Sequence, residues 1–202
     1  MKQSKVTKLK ALVETNYLSL YEAEYENKVG NMKTWTVASR KDNDTLQKQF
    51  FENKPDATDG VIIAAYHKDE KKLVIIKQFR IPLNDYVYEL TAGLIDPGED
   101  AKSTIGRELM EETGLKIVDV IKHRGTDKVY VSAGMTDESL YFAYCTCEGE
   151  ISDEYLEEDE CIEAMLISQE QAKKLIQGNE KFDIKCFLVL QSFALLGEKL
   201  FE

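Results

Sequence analysis

Residues 93–115 read GLIDPGEDAKSTIGRELMEETGL, and the reading of the whole chain turns on this stretch. Asp100 is placed to cap a helix over AKSTIGRELMEET, and Gly114 stands where such a helix would stop. Ile105 and Leu109 form its buried stripe. Glu108, Glu111 and Glu112 lie three and four apart, so they share a face on which like charges repel. With Glu99 they make four carboxylates around one arginine, Arg107. A helix that serves only packing needs no such concentration, so something cationic must compensate it. Mg²⁺ prefers oxygen ligands and is commonly shared between carboxylates and substrate phosphates. The pattern therefore points to metal-assisted phosphoryl chemistry.

Working outward, the strand-like YVYELTA leads straight into the acidic stretch, and GVIIAAYH and KLVIIKQFR precede it, separated by the charged turn at 68–71. Beyond it KIVDVIKHRG, DKVYVSA, ESLYFAYCTC and CIEAMLIS read as further strands. Ser168 with Gln171 makes a capping box for SQEQAKKLIQG, and FDIKCFLVLQSFALLGEKL is long enough for a closing helix. Near the start, YLSLYEAEYE, the turn-like KVGN and MKTWTVASRK predict an antiparallel hairpin. Residues 41–59 are polar and irregular and read as a connector. The expected organisation is an N-terminal β segment over 1–58 and a main α/β domain over 59–202.

The chain has 202 residues, 43% of them hydrophobic, which is enough for a real core. Its 26 Lys and Arg against 37 Asp and Glu give a formal net charge of -11, which repels a nucleic-acid backbone. An anionic small substrate is still admissible where metal ions and a few arginines mask the repulsion. No apolar run approaches membrane-spanning length, and MKQSKVTKLK lacks the apolar core of a signal peptide, so a cytoplasmic protein with no membrane or nucleic-acid partner is expected. Cys145 and Cys147 alternate along an apparent strand and point to one face. With no second pair or His cluster beside them, and His67 and His123 isolated, reduced core thiols are expected rather than zinc ligands.

The stretch at 93–115 resembles the Nudix box, G-x5-E-x7-R-E-U-x-E-E-x-G-U with U aliphatic, and Gly93, Glu99, Arg107, Glu108, Leu109, Glu111, Glu112, Gly114 and Leu115 fill every defined position. The resemblance implies the Nudix fold, an α/β/α sandwich around a mixed sheet, and hydrolysis of a nucleoside diphosphate linked to another moiety. It implies Glu108 and Glu112 as principal metal ligands, the backbone carbonyl of Ala92 as a third oxygen donor, and two or three Mg²⁺ ions per site, with Mn²⁺ as an alternative. Glu111 becomes a supporting residue. Arg107 and Glu99 are implied to pair and hold the loop against the helix, a task that suits the forked guanidinium better than lysine. A ligand-sensing Nudix module without hydrolysis is the rival class, and the intact box argues against it.

Outside the box KQFRIPLNDYVYELTAGLIDPGE is similar to the ADP-ribose pyrophosphatase subgroup, which implies Arg80 as a donor to the diphosphate. KTWTVASR resembles the segment that stacks an adenine in that subgroup, so Trp35 is the expected base platform and Arg40 the group reaching phosphates or ribose. Leu94 and Ser132 complete the implied substrate-binding set. The run EGEISDEYLEEDE, residues 148–160, holds eight carboxylates and no base. Its end resembles the flexible acidic loop of the subgroup, which makes Glu158 the expected general base and Glu160 an additional metal contact, with Glu138 the rival base. The expected reaction is ADP-ribose to AMP and ribose 5-phosphate, by water attack on one phosphorus. Ser132-Ala133-Gly134 stands where the subgroup commonly has Ser-Pro-Gly, which keeps UDP-glucose and GDP-mannose type sugars as competitors. The N-terminal segment of the subgroup often crosses to a second subunit, which implies a homodimer.

Overall fold

The computed structural model describes residues 4–158 and 160–202. The chain divides into two units, one running to Asp59 and including Val129–Leu140, the other made of Gly60–Lys128 and Tyr141–Glu202.

The first unit is an antiparallel sheet of β1 (Lys5–Val13), β2 (Ser19–Glu26) and β3 (Met32–Ser39), in that order, followed by helix α1 (Asn43–Phe51). One face buries Leu9, Tyr21 and Ala23 against Leu46 of α1. The other face carries a charge ladder, with Lys5 opposite Glu26, Lys8 opposite Glu24 and Lys10 opposite Glu22. The turn between β2 and β3 is held by Asn27 Oδ1, which accepts from the backbone N–H groups of Val29 and Asn31 at 3.0 Å. Lys41 knits the unit together. Its Nζ lies 3.3 Å from Asp56, 3.0 Å from Asp59 and 2.9 Å from Asp137, and its side chain is only 9% exposed. These partners hold its charge above the ordinary lysine range in spite of burial.

Two elements here depart from the sequence reading. Strand β1 was not expected, because register shifts between Val6 and Lys8 and between Ala11 and Val13 break the two-residue alternation that marks a strand. Helix α1 lies inside the expected connector. It is capped by Asp42, whose side chain accepts from the Thr45 N–H at 2.7 Å, but it buries only Leu46 fully, too short an apolar stripe to announce a helix.

The second unit is built on an eight-stranded mixed sheet. Its strands are β4 (Gly60–His67), β5 (Lys72–Arg80), β6 (Asp85–Glu89), β7 (Thr91–Leu94), β8 (Lys116–Val120), β9 (Thr126–Tyr130), β10 (Ser139–Glu148) and β11 (Ile162–Ile167). The central order is β11-β5-β4-β10-β8, with β6 paired to β5, β7 to β4 and β9 to β10. Strand β4 is buried along its whole length, which is why GVIIAAYH is an unbroken apolar run. Val61, Ile63 and Ala65 pack with Ile105 and Leu109 of helix α2 (Ala101–Thr113), together with Cys145 and Cys147. On the other face Tyr66 stacks on Phe201 and touches Phe193 of helix α4 (Ile184–Leu196), which follows the short helix α3 (Gln169–Leu175). The unit is thus a sheet between helices. Among the described residues no helix is long and apolar enough to cross a membrane.

Candidate active site

Helix α2 is placed by local chemistry. Asp100 caps it and Ser103 completes a reciprocal capping box, the Ser103 N–H donating to Asp100 Oδ1 at 2.8 Å. Gly114 ends it at φ +74°, a conformation that disfavours any side chain. A β-carbon at Gly114 would also meet Ser152 at 2.8 Å, because the Ser152 N–H donates to the Thr113 carbonyl at 3.0 Å. The acidic loop therefore starts from the end of α2. His67, itself buried, binds the same root through Nε2 and the Gly149 carbonyl at 2.9 Å.

Arg107 gathers the loop before the helix. It donates from Nη2 to Glu99 at 3.0 Å and to the Leu94 carbonyl at 3.0 Å, and from Nη1 to Glu111 at 2.8 Å, with Glu108 Oε1 also 2.8 Å away. This one cation offsets much of the repulsion along the helix face. Glu112 lies beyond its reach. It is 4% exposed and accepts from the Ala92 N–H at 3.1 Å. Burial raises its carboxyl well above the usual range, against the pull of that N–H and of Arg80, and the charges of Glu108 and Glu160 push the same way as burial. Burial likewise pushes Glu108 up to about 7, against Arg107, with Glu111 and Glu160 adding to the rise. Gly93 leaves the space that the Glu108 carboxylate occupies, since a β-carbon there would sit 1.9 Å from it.

These groups suit a hard divalent cation. All are oxygen donors, two carboxylates are withdrawn from water without full neutralisation, and the glycine opposite keeps the cradle open. Among the described residues no three His, Cys, Asp or Glu side chains form a ready-made cage, so any ion held here takes further ligands from backbone, water or substrate. Glu160 accepts from the Glu157 N–H at 3.1 Å through Oε2, and Glu158 is exposed. Arg80 forms a two-point pair with Glu89, Nε to Oε1 at 2.6 Å and Nη2 to Oε2 at 2.8 Å. Glu89 escaped the sequence reading, although one acid in the apolar YVYEL was a signal, since a buried carboxylate needs a partner.

The remaining expected substrate residues belong to the first unit. Trp35 is 54% exposed, donates from Nε1 to the Gly134 carbonyl at 3.1 Å, and lines a 290 Å³ pocket with Tyr130, Ala133, Met135 and Thr136. Arg40 Nε donates to Glu138 Oε1 at 2.7 Å. Ser132 is exposed and its carbonyl accepts from the Met135 N–H at 2.8 Å.

Known proteins resemble this chain in sequence and in fold. The chain is 33% identical over 138 residues to the ADP-ribose pyrophosphatase of Bacillus subtilis (strain 168), covering 67% of this chain and 72% of that protein. It is 31% identical over 144 residues to the GDP-mannose pyrophosphatase of Yersinia pestis (strain Pestoides F), covering 67% and 71%. A solved structure described as an ADP compounds hydrolase superposes with a TM-score of 0.68 over 96% of this chain and 95% of that one, at 14% identity, and so shares the fold. The family model for the NUDIX domain matches residues 56–186, a span that holds the capped helix, the Arg107 cluster and the buried carboxylates, and the chain accordingly belongs to the NUDIX family, as a Nudix hydrolase.

Proposed function

We propose that this protein hydrolyses the diphosphate bond of a nucleoside diphosphate sugar, with ADP-ribose as the substrate, giving AMP and ribose 5-phosphate. The observation that carries the reading is the pair of buried carboxylates, Glu108 and Glu112, held against Gly93 and Ala92, with the Arg80 charge acting on Glu112. The name of the Bacillus subtilis relative supports the choice of sugar nucleotide. Mg²⁺, or Mn²⁺ in its place, two or three ions held by Glu108, Glu112 and the Ala92 carbonyl with Glu160 as a further contact, would neutralise phosphate charge and supply Lewis acidity.

The chain's own residues do the rest. Arg80 binds the diphosphate through its forked donors. Glu158 takes a proton from the attacking water as the new P–O bond forms and the bond to the bridging oxygen breaks, leaving the electron pair on the departing phosphate. Glu158 is favoured over Glu138 because the Glu138 carboxylate is already engaged by Arg40 at 2.7 Å. We assign the base to the face of Trp35, with Arg40, Leu94 and Ser132 in the substrate-binding set. Arg107, Glu99 and Glu111 hold the loop and helix in register. A homodimer in the cytoplasm is the proposed working form, the compartment being supported by four cysteines that carry no disulfide.

A second reading has its own support. The loop Ser132-Ala133-Gly134 lacks the proline common in ADP-ribose enzymes, and the Yersinia relative is named for GDP-mannose, so a GDP-mannose or UDP-glucose type sugar is the alternative. The test is incubation of the pure protein with a panel of nucleoside diphosphate sugars, with and without Mg²⁺. Release of AMP from ADP-ribose only with the metal is the expected result. Cleavage of another sugar nucleotide alone replaces the substrate, and no cleavage of any overturns the reading.

A further inference from the structure

The Arg80–Glu89 pair does more than join β5 to β6. Nε and Nη2 of Arg80 are both spent on the two oxygens of Glu89, which occupies one edge of the planar guanidinium. Glu89 is 8% exposed and sits at the end of β6, where it is paired with Ile76 of β5, whereas the Arg80 side chain is 43% exposed. A guanidinium carries five N–H donors. Three remain, two on Nη1 and one on Nη2, and among the described residues none of them is bonded. One from each terminal nitrogen points away from the stem of the side chain, so the free edge offers two parallel donors. That spacing matches two oxygens of one phosphate group.

We infer that Glu89 is a positioning residue, which holds Arg80 so that its far edge meets two oxygens of a single phosphate of the substrate. The inference rests on the reading of this site as a diphosphate site. The pair is neutral as a whole, so its net charge offers an anion little attraction. What remains is donor geometry, and geometry is what the buried carboxylate supplies. A lysine at position 80 would keep the charge and lose the edge. Glutamine at 89 would turn an N–H toward the guanidinium in place of one acceptor, freeing the plane to rotate.

The test is a double-mutant cycle read by calorimetric titration of ADP in the presence of Mg²⁺. Glu89→Gln and Arg80→Ala are each expected to weaken ADP by about tenfold or more, the loss of one charge-assisted hydrogen bond. The double variant is expected to be no weaker than Arg80→Ala, since Glu89 acts only through the arginine. Glu89→Asp keeps the charge one methylene short and is expected to fall between wild type and Glu89→Gln, which covers the case that glutamine fails to fold. Additive losses, an unchanged affinity in the Glu89 variants, or a wild type with no measurable affinity for ADP would each overturn the inference. A wild type that binds ADP with the expected cycle yet cleaves no sugar nucleotide removes the proposed reaction and leaves the role of Glu89 standing.

Discussion

At position 93 a side chain and a carboxylate compete for one place. The β-carbon of Gly93→Ala would fall 1.9 Å from Glu108, so the carboxylate must leave. Misplacing a reacting or ligating group by about 1 Å costs on the order of a hundredfold in rate. Gly93→Ala is accordingly expected to lower kcat by that order, measured as Mg²⁺-dependent release of AMP from ADP-ribose. Glu112→Gln tests the neighbouring carboxylate. It keeps the shape and can still accept from the Ala92 N–H, so folding should survive, while activity is expected to fall on the order of a thousandfold through loss of the charge proposed to hold the metal. Wild-type turnover in that variant would remove Glu112 from the metal set. Glu89 shows the limit of reading residues one at a time, since its meaning lies in a partner nine positions away across a hairpin, where Ile76 faces Glu89 and Arg80 faces Asp85.

Among elements, helix α2 was legible because everything that defines it is local, from the cap at Asp100 to the stop at Gly114 and the spacing of its acids. Helix α1 and strand β1 were not, for opposite reasons: α1 lacks a long apolar stripe, and two bulges interrupt the alternation of β1. The Asp42 cap gives α1 a test. Asp42→Ala should cost about 1 kcal/mol in urea denaturation at neutral pH. The Thr45 N–H holds the Asp42 carboxyl below its ordinary value of 3.8, so the cap contributes fully above that pH and is lost as pH falls through the lower folded value. The difference between Asp42→Ala and wild type should therefore be constant near neutrality and shrink only below 3.8. At the other helix, Gly114→Ala meets both a left-handed backbone and the nearby Ser152, and should cost roughly 2 kcal/mol in the same measurement. A loss confined to that single strain, with the acidic loop undisturbed, would argue against the shared root.

Across the molecule, a chain of net charge -11 that buries Glu108 and Glu112, with Arg107 already shared among several carboxylates, should be stabilised by a divalent cation. Mg²⁺ at a hundred times its Kd should raise unfolding stability by about 2.7 kcal/mol, seen as a concentration-dependent Tm that Glu112→Gln abolishes. The first unit depends instead on Lys41, whose loss as Lys41→Met would leave Asp56, Asp59 and Asp137 facing one another at a cost of roughly 3 kcal/mol. A change near zero in urea denaturation would show that these acids reach water. The ladder on the N-terminal sheet has a further reach, because all its lysines stand on β1 and all its glutamates on β2. Strand β1 is one of the sheet's two edges, and Gln47 of α1 covers part of it by donating to the Leu9 carbonyl at 3.0 Å. A second copy laying its own β1 along this margin would bring lysine against lysine, so the sign of the ladder steers the proposed homodimer away from pairing β1 with β1.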